Sequence, residues 1–402
     1  MRIGLFIGDT KPSEGGGFTF VENLLRALKP HARSGAHELV VCHLGQPGAQ
    51  VLAEGFAQLD LSAQHNDVLY ADERLPSLAA RIWRRLSPPG PRLHWHTRVY
   101  RRNAIDFVVP LNPWCPTSTE VPFASIQWDL QHRNNPWFPE VCELGGWAVR
   151  EALLASLCQR AALVFTGTAR GAEEIETFFR VPRERIRVVP FAVPQFAVDA
   201  AQKPARPDLL ASLGLPERFI FYPAQFWAHK NHVTLLHACK RLRDSRADAP
   251  GLVFVGSDKG NLAHVREQAN ALGIADAVKF LGFVGQDVLV ELYRSAQALA
   301  FPTYCGPDNL PPLEAFALGC PVVASAVPGA QEQLGDAALL FPPSDDAQLA
   351  THLAAIIDDA ALRGTLVAKG RARAASLTNE RYAAALLQAI DEFAPVRRAW
   401  KH

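Results

Sequence analysis

Short apolar runs recur along this chain, each followed by a loop and then by an apolar stripe at helical spacing. The first, Arg2-Ile3-Gly4-Leu5-Phe6-Ile7, is bounded by Gly8-Asp9. After Gly15-Gly16-Gly17 come Phe18, Val21, Leu24, Leu25 and Leu28, and Pro30 closes the helix. Strands are expected again at 38–42, 106–109 and 162–165, with a helix at 171–179. A second series opens near Arg218, with strands at 219–222, 252–256, 278–281, 298–301 and 321–324. Its helices are expected at 234–242, 262–272, 288–294 and 311–318. Strands alternating with helices favour mainly parallel sheets. The join between the series, Pro190-Phe191-Ala192-Val193-Pro194 and Gln202-Lys203-Pro204-Ala205-Arg206-Pro207, carries the prolines of a linker. At 402 residues two domains are the natural count. The reading is α/β, with two Rossmann-like domains facing a cleft over 1–195 and 196–378. A closing amphipathic helix in 379–402 is expected to pack back toward the first domain.

Composition narrows the class. A hydrophobic share of 49% excludes a mostly disordered chain. A net charge of +1 argues against a surface that wraps nucleic acid. The cysteines at 42, 115, 142, 158, 239, 305 and 320 are scattered and none forms a CxxC pair, which argues against a zinc ribbon or a disulfide scaffold. Reduced thiols in a cytoplasmic protein are the expectation. The apolar run at the N-terminus meets Asp9 too early for a signal peptide, and no apolar run is long enough to span a membrane.

Four segments carry candidate chemistry. Gly15, Gly16 and Gly17 precede a helix, where backbone N–H groups can approach a phosphate or sugar; a plain turn is the other reading. They are not a dinucleotide fingerprint, since no GxGxxG follows the first strand. Lys230, in Phe226-Trp227-Ala228-His229-Lys230-Asn231-His232, lies between a strand and a helix start, where an ammonium can meet a diphosphate. In Tyr304-Cys305-Gly306-Pro307-Asp308-Asn309-Leu310-Pro311, backbone N–H groups of Asp308, Asn309 and Leu310 can face sugar hydroxyls or phosphate oxygens. Glu314, placed in the first turn of the following helix, suits a ribose diol or simply the helix dipole. Asp129, His132 and Arg133 follow a strand at Ser125-Ile126-Gln127. They fit sugar binding, acid–base work or phosphate contact, or, for the histidine, a packed core position. Trp114, Trp128, Trp137 and Trp147 fall in the same region and either stack on sugars or pack.

Together these segments resemble the family 4 retaining glycosyltransferases of GT-B fold, over most of the chain and most strongly from 219 to 343. The stretch Asn309-Leu310-Pro311-Pro312-Leu313-Glu314-Ala315-Phe316-Ala317-Leu318-Gly319-Cys320-Pro321-Val322-Val323 resembles the donor-binding helix of that family, Lys230-Asn231 its phosphate-binding lysine and Gly15-Gly16-Gly17 its N-terminal glycine loop. The resemblance implies Lys230 on the donor diphosphate, Glu314 on the nucleotide ribose, and the backbone at Asp308, Asn309 and Leu310 on the donor sugar and phosphate. Asp129 and His132 would line the cleft from the other domain. Three positions depart from the family pattern. The first of its paired glutamates falls on Gly306, which removes that sugar contact or moves it to Asp308. An arginine common in the family falls on Gln225, leaving Arg133 or His229 to compensate. Trp128 stands where a histidine is frequent.

The expected activity is retaining transfer of a hexose, mannose first, from a nucleoside diphosphate sugar to a glycan or lipid-linked acceptor in bacterial surface-polysaccharide assembly. No cofactor is implied, and the lack of an Asp-x-Asp motif weighs against an obligatory metal. The competing reading is a non-catalytic nucleotide-sugar or glycan-binding subunit. Arginines at 81, 84, 85, 92, 98, 101 and 102, interleaved with Trp83 and Trp95 and free of acidic residues, form a face suited to an anionic membrane surface. The protein would then be cytoplasmic and peripheral on the inner face of the plasma membrane.

Overall fold

The computed structural model describes residues 1–8, 16–32, 36–62, 95–112, 120–306 and 308–400. In the first half, β1 (Arg2–Gly8), β2 (Glu38–His43), β3 (Ala57–Asp60) and β4 (Phe107–Pro110) form a parallel sheet in the order β3-β2-β1-β4. A second parallel set, β5 (Ala124–Gln127), β6 (Leu163–Thr166) and β7 (Ile186–Val188), continues it through a single bridge, Val108 to Phe123. Alternation along the strands fills both faces. Ile3, Leu5 and Ile7 pack with Leu39, Val41, Phe107 and Val109 on one side, and Phe6, Val40, Cys42 and Val108 on the other.

The second half forms a six-stranded parallel sheet in the order β10-β9-β8-β11-β12-β13. Its strands are β8 (Phe219–Pro223), β9 (Gly251–Val255), β10 (Val278–Phe280), β11 (Ala298–Phe301), β12 (Val322–Ser325) and β13 (Ala338–Phe341). Both sheets therefore reverse strand order beside their first strand, at β1/β4 and at β8/β11. Ligands of open parallel sheets bind at the carboxyl ends of the strands there.

Three helices extend beyond the periodic cores read from sequence, because caps and polar ends carry no apolar signal. The observed spans are Ala169–Phe179, His232–Ser245 and Gln286–Ser295. The proline-rich join is ordered as a helix, Gln195–Ala201, and a 3-10 segment, Pro207–Leu213. The last helix, Asn379–Arg398, buries Tyr382, Ala383, Leu386, Ala389 and Ile390 in the core of the first domain. No helix among the described residues is long and apolar enough to cross a membrane.

Candidate functional site

The loop after β8 holds Lys230 at the β8/β11 switch point. Residues Ala228–Lys230 make a single 3-10 turn, and Asn231 follows with φ 57°, a left-handed conformation that asparagine tolerates. The Asn231 side chain donates to the carbonyls of Pro302 at 2.8 Å and Pro343 at 2.7 Å, and accepts from Thr234 Oγ1 at 2.8 Å. Tyr222 donates its hydroxyl to the Lys230 carbonyl at 2.7 Å. The lysine backbone is thus fixed from both neighbouring strands, and its Nζ lies 5.6 Å from the centre of the Phe301 ring at the end of β11. Burial pulls its pKa below the ordinary lysine value, while Cys305, Asp129 and Glu140 push it back up. Among the described residues no carboxylate lies within 4.0 Å of this ammonium.

The first domain faces it from the loops after β1, β5 and β6. Asp129 is exposed and accepts from the Gln131 N–H at 3.0 Å. Its charge reaches Lys230, His229, Cys305 and Asp308. Gln131 Nε2 donates to the Gly306 carbonyl at 2.7 Å. Glu140 accepts from the His229 N–H at 3.0 Å and also bonds His229 Nδ1. Glu332 accepts from the Ala169 N–H at 2.7 and 2.9 Å, at the start of the helix Ala169–Phe179. At Gly16 a Cβ would meet Leu310 Cδ1 at 3.6 Å, so the start of the helix Gly16–Leu28 opposes the start of the helix Leu310–Leu318. All of these contacts come from carboxyl ends of strands, so the two switch points face each other.

The segment before that second helix is shaped by packing. A Cβ on Gly306 would sit 2.5 Å from Val327 Cγ2, so this loop has no room for a glutamate there. The Asp308 carboxyl lies against Gly167. Burial, then the Asp129 charge, push its pKa well above the usual carboxylate range, against the pull of the Gly167 N–H. Its Oδ2 is buried without a hydrogen-bond partner among the described residues. Asn309 precedes the helix without capping it; its side chain donates to the Cys305 carbonyl at 3.0 Å, and its carbonyl accepts from Gln333 at 3.1 Å. With prolines at 311 and 312, Leu310 carries the one backbone N–H among the first three residues of this helix.

Glu314 corrects the expectation of a first-turn carboxylate. The helix begins at Leu310 and has no acidic residue in its first turn. Glu314 is 8% exposed and accepts from the Tyr293 hydroxyl at 2.6 Å; burial raises its pKa to about 7. The expectations for His132 and Arg133 change as well. His132 is 1% exposed, bonds Glu151 at 3.0 Å and stacks on Phe179, so its ring belongs to the interior of the first domain rather than to the Lys230 cluster. Arg133 donates to both Glu151 oxygens and lies over Trp147, Phe178 and Phe179. Held this way, Arg133 is not available to replace a cation at 225, and His229 is committed to Glu140. Gln225 itself is tied to Ser257 Oγ at 3.2 Å and to Trp227 Nε1 at 3.0 Å. Trp128 packs on Phe20 and against Gly17. Gly15, Trp114, Pro307, Trp83 and the arginines at 81, 84, 85 and 92 lie outside the described residues, as does the Trp95 side chain. Sequence reasoning missed Glu140, Gly167, Tyr293 and Glu332, whose partners are distant in the chain and leave no local pattern.

Two parallel-sheet domains with facing carboxyl edges define the GT-B class. Solved structures of that class superpose over nearly the whole chain. The Anabaena Alr3699/HepE complex with UDP matches with a TM-score of 0.70 and 17% identity, over 98% of this chain and 100% of that one. WaaG, a glycosyltransferase involved in lipopolysaccharide biosynthesis, matches with a TM-score of 0.66 and 17% identity, over 96% and 99%. Residues 208–373 match the model of a family described as glycosyl transferases group 1. Among curated relatives, a D-inositol 3-phosphate glycosyltransferase of Salinispora arenicola is 33% identical over 191 residues, 45% of this chain and 43% of that protein. The O-antigen chain mannosyltransferase B of Escherichia coli is 27% identical over 217 residues, 53% and 56%. The chain spans about half the length of the curated relatives it matches.

Proposed function

We propose that the protein transfers a hexose from a nucleoside diphosphate sugar to an acceptor hydroxyl with retention at the anomeric carbon. The observation that carries this reading is Lys230, whose backbone is fixed between two strand ends with helix starts on both sides of it. The anomeric C–O bond breaks with its electron pair passing to the diphosphate oxygen. The acceptor oxygen bonds the anomeric carbon and releases its proton, which the departing phosphate can accept. Negative charge grows on the leaving group, so Lys230 and the amides at the helix starts stabilise the transition state more than the bound donor. Asp129, exposed on the opposite wall, suits the hydroxyls of the sugar or acceptor. No metal is assigned a role in this step. A UDP-bound neighbour of the same fold and relatives named as glycosyltransferases support a nucleotide-sugar donor. Mannose stands first through the O-antigen mannosyltransferase relative, with a glycan or lipid-linked acceptor in surface-polysaccharide synthesis.

Thermal unfolding with GDP, UDP, dTDP and ADP tests the donor assignment. One of them raises the midpoint clearly above the others, since a ligand bound only to the folded state stabilises it. No shift with any of the four removes the donor reading. A non-catalytic nucleotide-sugar-binding subunit, suggested by the missing glutamate at Gly306, would show the shift yet give neither transfer nor donor hydrolysis with mixed acceptors.

The acceptor is proposed to be met at an anionic membrane surface from the cytoplasmic side. Arg98, Arg101 and Arg102 lie on the helix Trp95–Arg102, and Arg101 pairs with Glu120 at 3.3 Å. Sedimentation with anionic vesicles exceeds sedimentation with neutral ones and declines with salt. Equal binding to both would end the membrane proposal.

A further inference from the structure

We infer that Lys259 is a second cation for the donor diphosphate, reaching it from the loop after β9 across the face of Trp227. This rests on the reading of the cleft as a nucleoside diphosphate sugar site. The loops after β8 and β9 are joined side by side. The Phe226 N–H donates to the Ser257 carbonyl at 3.0 Å, and Phe226 and Asp258 form a parallel bridge. Gln225 links the same loops, donating to Ser257 Oγ and accepting from Trp227 Nε1. Trp227 in turn begins the turn that carries the lysine of the switch point, because its carbonyl accepts the Lys230 N–H at 3.1 Å. The Trp227 ring is therefore set between the two ammonium-bearing loops, and Lys259 Nζ lies 5.7 Å from its centre.

Lys259 is exposed, and among the described residues no carboxylate lies within 4.0 Å of its ammonium. The adjacent Asp258 carboxylate accepts backbone N–H groups, those of Gly260 at 2.8 Å and Leu262 at 3.2 Å. A diphosphate carries more negative charge than one ammonium offsets. Two other nearby candidates are committed: Arg133 to Glu151 and its aromatic neighbours, and His229 to Glu140. An indole face holds a cation without neutralising it, so Lys259 keeps its charge for an incoming phosphate. Gln225, a neutral amide, fixes the indole where a cation at 225 would have repelled Lys259.

Isothermal titration of the full chain tests this with GDP, UDP, dTDP and ADP and with the corresponding nucleosides. In Lys259→Ala the diphosphate that binds the native protein weakens by about fivefold, as expected for an exposed charge contact. The nucleoside affinity stays unchanged, and the salt dependence of diphosphate binding becomes shallower. Lys259→Arg retains the native affinity. Unchanged diphosphate binding in Lys259→Ala, or equal weakening of diphosphate and nucleoside, overturns the role of Lys259 while leaving the donor site standing. Failure of every diphosphate to bind the native protein overturns the donor reading, and the role of Lys259 with it.

Discussion

Lys230→Ala lowers transfer at saturating donor by at least about tenfold, a loss of some 1.4 kcal/mol of transition-state stabilisation. The loss falls on turnover because the ammonium meets charge that grows as the diphosphate departs, so its contact is stronger in the transition state than in the bound donor. The substitution leaves the local frame intact. Tyr222 binds the Lys230 carbonyl, not its side chain, and Asn231 holds the turn through Pro302 and Pro343. In the ligand-free protein the ammonium is half-buried with no carboxylate within 4.0 Å among the described residues, and burial depresses its pKa. Removing it therefore holds or raises the unfolding midpoint without ligand, and shrinks the increment that a nucleoside diphosphate adds. Assays of transfer and of thermal unfolding on the same preparation check both signs. Near-normal turnover would take Lys230 out of the mechanism.

That outcome depends on a feature legible in the sequence, since a lysine between a buried strand and a helix start has its location set by local order. The strands β1, β8, β9 and β11 were equally legible, because each is a short apolar run closed by a polar or glycine-rich loop. Depth was not. His132 and Arg133 directly follow Gln131, which bonds the Gly306 carbonyl of the other domain, yet Glu151, on a separate helix, binds both side chains. Glu314 accepts from the hydroxyl of Tyr293, on the preceding helix, a contact that its own segment does not announce. Gly306 reads as a lost glutamate until Val327, beyond the next strand, is seen to occupy the space. In each case the deciding partner comes from another element, and neither periodicity nor spacing encodes such a contact.

Gly167→Ala is expected to lower transfer by at least about tenfold while nucleoside diphosphate binding to the second domain stays within about twofold, because it misplaces groups that must meet across the cleft. Gly167 opens the loop after β6 in the first domain, and a Cβ there would run into the Asp308 carboxyl of the second. Its φ lies outside the left-handed region, so alanine is acceptable to the local backbone and the whole cost falls on the contact between domains. That carboxyl cannot simply swing away. It is buried, bonded by the Gly167 N–H, and flanked by the charges of Asp129, Glu332 and Glu174. Displacing it would also pull on Gln131 at the Gly306 carbonyl and on Glu332 at the Ala169 N–H, two contacts that set the distance between Asp129 and Lys230. A stability effect on the first domain alone would lower the unfolding midpoint and leave the turnover of the folded fraction unchanged. A closure effect does the reverse, and single-turnover transfer on folded protein separates the two. Native turnover in Gly167→Ala would mean that the two walls need not approach this closely for the sugar to move.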